Sequence, residues 1–179
     1  MSAADPPVSK KPVDTSEAPA EDAAVKIATV GAVDVSDFID LETFEQIREM
    51  DDDDSDEFSC AIVGGFLDQA EETFIKMEAA LHGSFPFASH RKAGDLDQLS
   101  SLGHFLKGSS ATLGLIKVKD YCETIQHLGS NKDDTGHVGP DHKECLSKIK
   151  NALAEMKIEY KRVRVYFYKI YPILDDGSR

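Results

Sequence analysis

The sequence predicts an all-α fold: an up-and-down antiparallel four-helix bundle over residues 36–179, with a short extra helix at its front and a disordered acidic, Pro-rich tail over residues 1–35. Three observations predict it. Apolar residues recur at steps of three and four over long stretches, and no segment alternates with period two for long enough to make a strand. Two glycine-bearing stretches, Gly83 to Gly94 with its Pro86 and the polar Asn131 to Pro140, punctuate the periodic runs as a loop and a turn.

The tail carries Pro6, Pro7, Pro12 and Pro19 and few large apolar side chains, too few to offset the entropy of fixing its backbone. Order is expected near Ser36, a suitable N-cap ahead of Phe38, Leu41, Phe44 and Ile47. The acidic run Asp51 to Asp54 ends this first helix by charge repulsion and by the preference of Asp for caps, and Ser55 or Asp56 can cap the next. From Phe58 to His82 the apolar positions Ile62, Val63, Phe66, Leu67, Ala70, Phe74, Met77 and Leu81 form a wide stripe, suited to a helix in the middle of a bundle. Gly64 and Gly65 lie within it and are read as admitting a neighbouring helix closely.

Asp95 starts the next helix and Gly114 ends it. Val118, Cys122, Ile125 and Leu128 or Gly129 then share one face of a following helix. The last helix carries Leu146, Ile149, Leu153, Met156, Tyr160, Val163, Phe167 and Ile170 in unbroken alternation of three and four, a bundle seam that stops at Pro172. Between Lys157 and Lys169 cations mix with Tyr and Phe, a pattern open to nucleic acid or an anionic membrane. The regular seam instead turns the aromatics inward and leaves the cations at the helix's negative end.

The formal charge of −13 is unevenly placed. Met1 to Glu57 holds 17 acidic and 4 basic residues, whereas Phe58 to Arg179 holds 16 of each. A net-acidic chain offers no general field for nucleic acid and favours basic partners. No run is long and apolar enough to span a membrane, and the amino terminus resembles neither a secretory signal nor a transit peptide, so a cytoplasmic or nuclear location is expected. Cys60, Cys122 and Cys145 are odd in number and widely spaced, which reads as reduced thiols.

The chemistry is expected in the run LSSLGHFLKGSSATLGL, Leu99 to Leu115. At about 100° per residue, Leu99, Leu102, Leu106, Ser110 and Leu113 form one buried stripe, and His104 lies roughly 170° from its centre with Gly108 and Ala111 beside it. A lone histidine on a solvated face usually means nothing. Here Lys107 follows one turn later, where its ammonium can approach an anion on the ring, and Gly108 leaves the ring a bare flank. A helical glycine costs about 1 kcal/mol against alanine. Close packing accounts for Gly103 on the core side; access to the imidazole accounts for Gly108.

The string LGHFLKGSSATLGL resembles the phosphorylation-site helix of histidine-containing phosphotransfer (HPt) domains, which share a His-x-x-Lys-Gly core. MDDDDSDEF, GFLDQAEETF and CETIQHLG extend the resemblance to single-domain HPt proteins of fungal osmosensing phosphorelays. The resemblance implies that His104 is the phospho-acceptor, Lys107 the phosphate partner, Gly108 the open flank, and Gln126 the glutamine that helps hold the ring. It implies a docking surface for receiver domains at Phe58, Ile62, Phe66, Gln69 and Ala111, bordered by acidic residues including Asp53 and Asp54. Ser130 stands where a family member can carry a basic residue. The implied partners are the receiver domains of a hybrid histidine kinase and of response regulators, with this chain acting as a monomer and the receiver supplying Mg²⁺.

Plainer readings stand beside these. Phe58, Ile62 and especially Phe66 could be ordinary core, Asp51 to Asp54 a solvated linker, and Gln126 a surface residue. The chain has no phosphate loop or kinase motif and no cofactor of its own is expected, so it is read as a phosphocarrier and not a kinase. The alternative is a helical adaptor that binds receiver domains without carrying phosphate. A histidine-kinase dimerisation domain fits less well, because no ATP-binding region follows.

Overall fold

The computed structural model describes residues 34–52, 55–82, 94–130 and 141–175. Within them five α-helices follow one another: α1 (Leu41–Arg48), α2 (Glu57–His82), α3 (Leu96–Thr112), α4 (Ile116–Gly129) and α5 (His142–Ile170), with a 3₁₀ turn at Pro172–Leu174. No strand occurs among the described residues, only isolated bridges at Ile39–Leu115 and Asp52–Ser55. None of these helices is long and apolar enough to cross a membrane. The expected loop at 83–93, the turn at 131–140, Asp53, Asp54, and His90 and His137 lie outside the described residues, as does the tail up to residue 33. Val35 is described, and it is buried.

The four long helices form because their apolar stripes have one another to cover. Val63, Leu67, Ala70 and Met77 of α2, Leu99 and Leu106 of α3, Val118, Cys122 and Ile125 of α4, and Ile149, Met156, Val163 and Phe167 of α5 are all buried in one core. Each helix packs on its chain neighbour, and α5 closes back onto α2, so α3 and α5 sit diagonally. The aromatics of α5 in the Lys157 to Lys169 stretch turn inward, as the regular seam predicts. Tyr160, Tyr166 and Phe167 are buried, Phe74 meets Tyr160 edge-on at 5.0 Å, and Arg162 stacks on Phe38 at 4.5 Å. Lys157 pairs with Glu78 and Arg164 with Glu71.

Helix ends follow local chemistry, with two departures from the sequence reading. Asp95 and Asp141 cap α3 and α5 by accepting from the backbone N–H groups of Gln98 and Glu144. Gly114, at φ 69°, closes α3 in a Schellman turn: its N–H reaches Ala111 O and that of Leu115 reaches Ser110 O. Ser36, however, does not cap α1. The cap is Asp40, because Asp40 N–H donates to Gly114 O and Ile116 N–H to Phe38 O, which pins the chain after the turn at residues 36–38 against the α3–α4 junction and leaves Asp40 extended. Nor does the side chain of Ser55 or Asp56 cap α2. Asp51 does so from outside the helix, its Oδ1 accepting from Ser59 N–H at 2.9 Å. Desolvation raises the Asp51 pKa, but the hydrogen bonds from Ser59 and Phe58 outweigh it and hold the carboxyl below its usual range.

All three cysteines are free, and burial pushes the Cys122 thiol up to about 12.

Candidate functional site

His104 stands on the outward face of α3, exposed, and its ring takes no hydrogen bond among the described residues. The helix is fixed from behind by Leu99, Leu106 and Ser110, all fully buried, whereas Leu102, at the edge of the expected stripe, is only half-buried. On the same outward face a Cβ added at Gly108 would meet nothing within 4 Å, so this glycine is open to a partner. Gly103 is the reverse case. Its Cβ would come within 2.8 Å of Cys122 O, and one at Gly129 within 2.6 Å of Ser100 N, so the two glycines bring α3 and α4 into backbone contact.

That contact decides what lies beside the ring. Lys107 is half-buried, and its Nζ sits 3.4 Å from Oε1 of Glu123 on α4, a residue the sequence reading did not single out. Gln126, also on α4, is half-buried next to Gly103, and its side chain makes no hydrogen bond to the His104 ring. Its Oε1 is buried without a partner, while its carbonyl accepts from the Ser100 and Ser130 hydroxyls at 2.9 and 2.8 Å. The two hydroxyls also lie 2.9 Å from each other.

Beside Gly108 a shallow groove of about 370 Å³ runs between α2 and α3, lined by Ile62, Gly65, Phe66 and Gln69 on one side and Ser109 and Thr112 on the other. Phe58 and Ile62 are 41% and 38% exposed, too open for core residues, and Ala111 is exposed as well. Phe66 is 3% exposed with its ring 6.4 Å from Tyr160, so it is a core residue whose edge forms the groove floor, not a free docking contact. Gly65 also departs from expectation. No helix packs on it and a Cβ there would meet nothing within 4 Å, whereas Gly64 faces the Leu174 side chain. Phe105, 58% exposed next to His104, adds an apolar patch to the same face.

Among the other described histidines, His82 and His142 are exposed at helix ends and His127 is half-buried. No group of three or more His, Cys, Asp or Glu among the described residues could hold a metal ion.

An Hpt domain family model matches residues 61–159, more than half of the chain and all of α3 and α4. The chain belongs to the Hpt domain family. It is 42% identical over 134 residues to multistep phosphorelay regulator 1 of Schizosaccharomyces pombe, covering 74% of this chain and 42% of that protein. It is 40% identical over 114 residues to phosphorelay intermediate protein YPD1 of Saccharomyces cerevisiae, covering 64% of this chain and 60% of the relative. The chain therefore spans about two-fifths to three-fifths of the length of these curated relatives. Among solved structures, the co-crystal of Saccharomyces cerevisiae Ypd1 with the receiver domain of its downstream response regulator Ssk1 matches with a TM-score of 0.62 at 32% identity, over 75% of this chain and 95% of that one. The helical bundle is thus that of an Hpt domain.

Proposed function

We propose that this Hpt domain is a phosphorelay intermediate in which His104 accepts a phosphoryl group from the receiver-domain aspartate of a hybrid histidine kinase and passes it to the receiver aspartate of a response regulator. The observation that carries the reading is the bare outward face of α3, where the His104 ring stands exposed beside the open space at Gly108. The complex of the similar protein Ypd1 with a receiver domain supports the choice of partner.

The chemistry needs little from this chain. A neutral imidazole nitrogen carries a free lone pair and attacks the phosphorus of an aspartyl phosphate. A P–N bond forms, the P–O bond to the aspartate breaks, the carboxylate leaves with its electron pair, and the other ring nitrogen keeps its proton. The reverse step, on a second receiver, regenerates the imidazole. The product carries about two negative charges, which the Lys107 ammonium can share through a charge-assisted hydrogen bond. Receiver-bound Mg²⁺ supplies the remaining charge neutralisation. The groove of Ile62, Gly65 and Gln69 seats the receiver, with Phe58 and Ala111 at its border. The cytosol and nucleus, where thiols stay reduced, suit the three free cysteines.

The test is transfer from a phosphorylated receiver domain, followed by addition of a second receiver. The chain should take the label in acid-labile, alkali-stable form and lose it to the second receiver, while His104→Gln takes none. Receiver binding without transfer would leave a phosphate-independent adaptor.

A further inference from the structure

Lys107 is not waiting free beside His104. Its Nζ is 3.4 Å from Glu123 Oε1, both groups are partly shielded, with side-chain exposures of 26% and 46%, and no other carboxylate pairs with this ammonium among the described residues. The pairing is built into the fold. Glu123 follows Cys122, whose carbonyl oxygen lies where Gly103 lacks a Cβ, so the glycine-mediated contact between α3 and α4 sets the carboxylate against the cation. The backbone carbonyl of Gln126, three residues after Glu123 on α4, gathers the hydroxyls of Ser100 and Ser130. Lys107 is the ammonium that α3 itself offers to an anion on the ring, one turn after His104, and it already has a counter-ion.

From this geometry we infer that Glu123 is a positioning residue that acts through Lys107: by competing with the phosphoryl group for the ammonium, it shortens the life of phosphohistidine and keeps the group transferable. The inference rests on the relay reading for its chemistry. When His104 carries a phosphoryl group, Lys107 must divide its charge between that dianion and the Glu123 carboxylate. The stronger its hold on the carboxylate, the less it stabilises the P–N bond against water. Partial shielding keeps the competition effective at physiological salt and lets concentrated salt weaken it.

Phosphoramidate, a small donor whose ammonia leaves as the P–N bond to imidazole forms, can load the chain without any receiver. Its use separates the two readings. The half-life of the loaded protein is then followed by ³¹P NMR for wild type, Glu123→Gln, Lys107→Ala and the double variant, with thermal melts to confirm that each is folded. Glu123→Gln should lengthen the half-life about threefold, an effect that shrinks in 1 M NaCl, and Lys107→Ala should shorten it. In the Lys107→Ala background, Glu123→Gln should change the half-life by less than about 1.5-fold, the mark of a residue that works through its partner. An unchanged or shortened half-life in Glu123→Gln, or equal lengthening in both backgrounds, overturns the inference. If phosphoramidate loads His104 but no receiver exchanges with it, the relay reading fails while the role of Glu123 is still decided. If phosphoramidate does not load the wild type, the same half-lives are read on chains loaded from a phosphorylated receiver and then separated from it, with the same outcomes deciding the role of Glu123.

Discussion

Two faces of α3 use glycine for opposite ends. Toward α4, Gly103 and Gly129 remove side chains so that two backbones can touch, with no room left for even a methyl group. Toward solvent, Gly108 of α3 and Gly65 of α2 lack side chains where nothing among the described residues takes their place. The first pair locks α3 in register and so fixes where His104, Lys107 and Glu123 stand relative to one another. The second pair keeps the approach to His104 clear. A rigid back and an empty front are what a group carrier needs: the reactive nitrogen is held still while its reaction partner comes and goes.

The contrast can be broken from either side. On the closed side, Gly129→Ala puts a Cβ against the Ser100 and Leu96 backbone and should cost about 2 kcal/mol despite the better helix propensity of alanine. Thermal melts should show a fall in Tm of roughly 4–8 °C. Unchanged stability would mean that the α3–α4 contact is looser than described. On the open side, Gly108→Met should leave the melt equal or slightly higher, because a helical glycine is replaced in open space. Transfer from a phosphorylated receiver should nevertheless slow about tenfold. Normal transfer rates would show that the front is not where the partner sits.

The smallest effect tests how the open side is anchored at its edge. Asp51→Ala removes the acceptor for Ser59 N–H at the start of α2 and should cost about 1 kcal/mol, as lost helix caps do. The folded pKa of Asp51 lies below its unfolded value, so its contribution is present above about pH 4 and is lost as pH falls through the folded pKa. The variant's stability should approach that of wild type below that range. A deficit that persists at low pH would assign the loss to packing instead.

The same division explains what could be read from the residue order. The buried stripes were legible, since Leu99, Leu106 and Leu113 or Ile149, Met156 and Val163 mark a face by spacing alone. The outward placement of His104 and Gly108 followed from the same spacing. What spacing cannot give is the register between helices. Glu123 is an ordinary surface glutamate until α4 is laid against α3. Gly65 looked like Gly103 because both interrupt an apolar helix; only the absence of a neighbour distinguishes them. Ser36 and Asp40 both suit a cap, and the choice was made by distant backbone bonds to Gly114 and Ile116. Asp51 reaches its N–H from eight residues away across a bend, a tertiary contact no local capping rule describes.

The account turns on one ring among the six histidines of the chain. The most direct measurement is to load the protein from a phosphorylated receiver domain, digest it under alkaline conditions and map the phosphoryl group by mass spectrometry. The account predicts phosphate on the peptide containing His104 and on no other. Phosphate on a peptide carrying His82, His90, His127, His137 or His142, or none on His104, would contradict it.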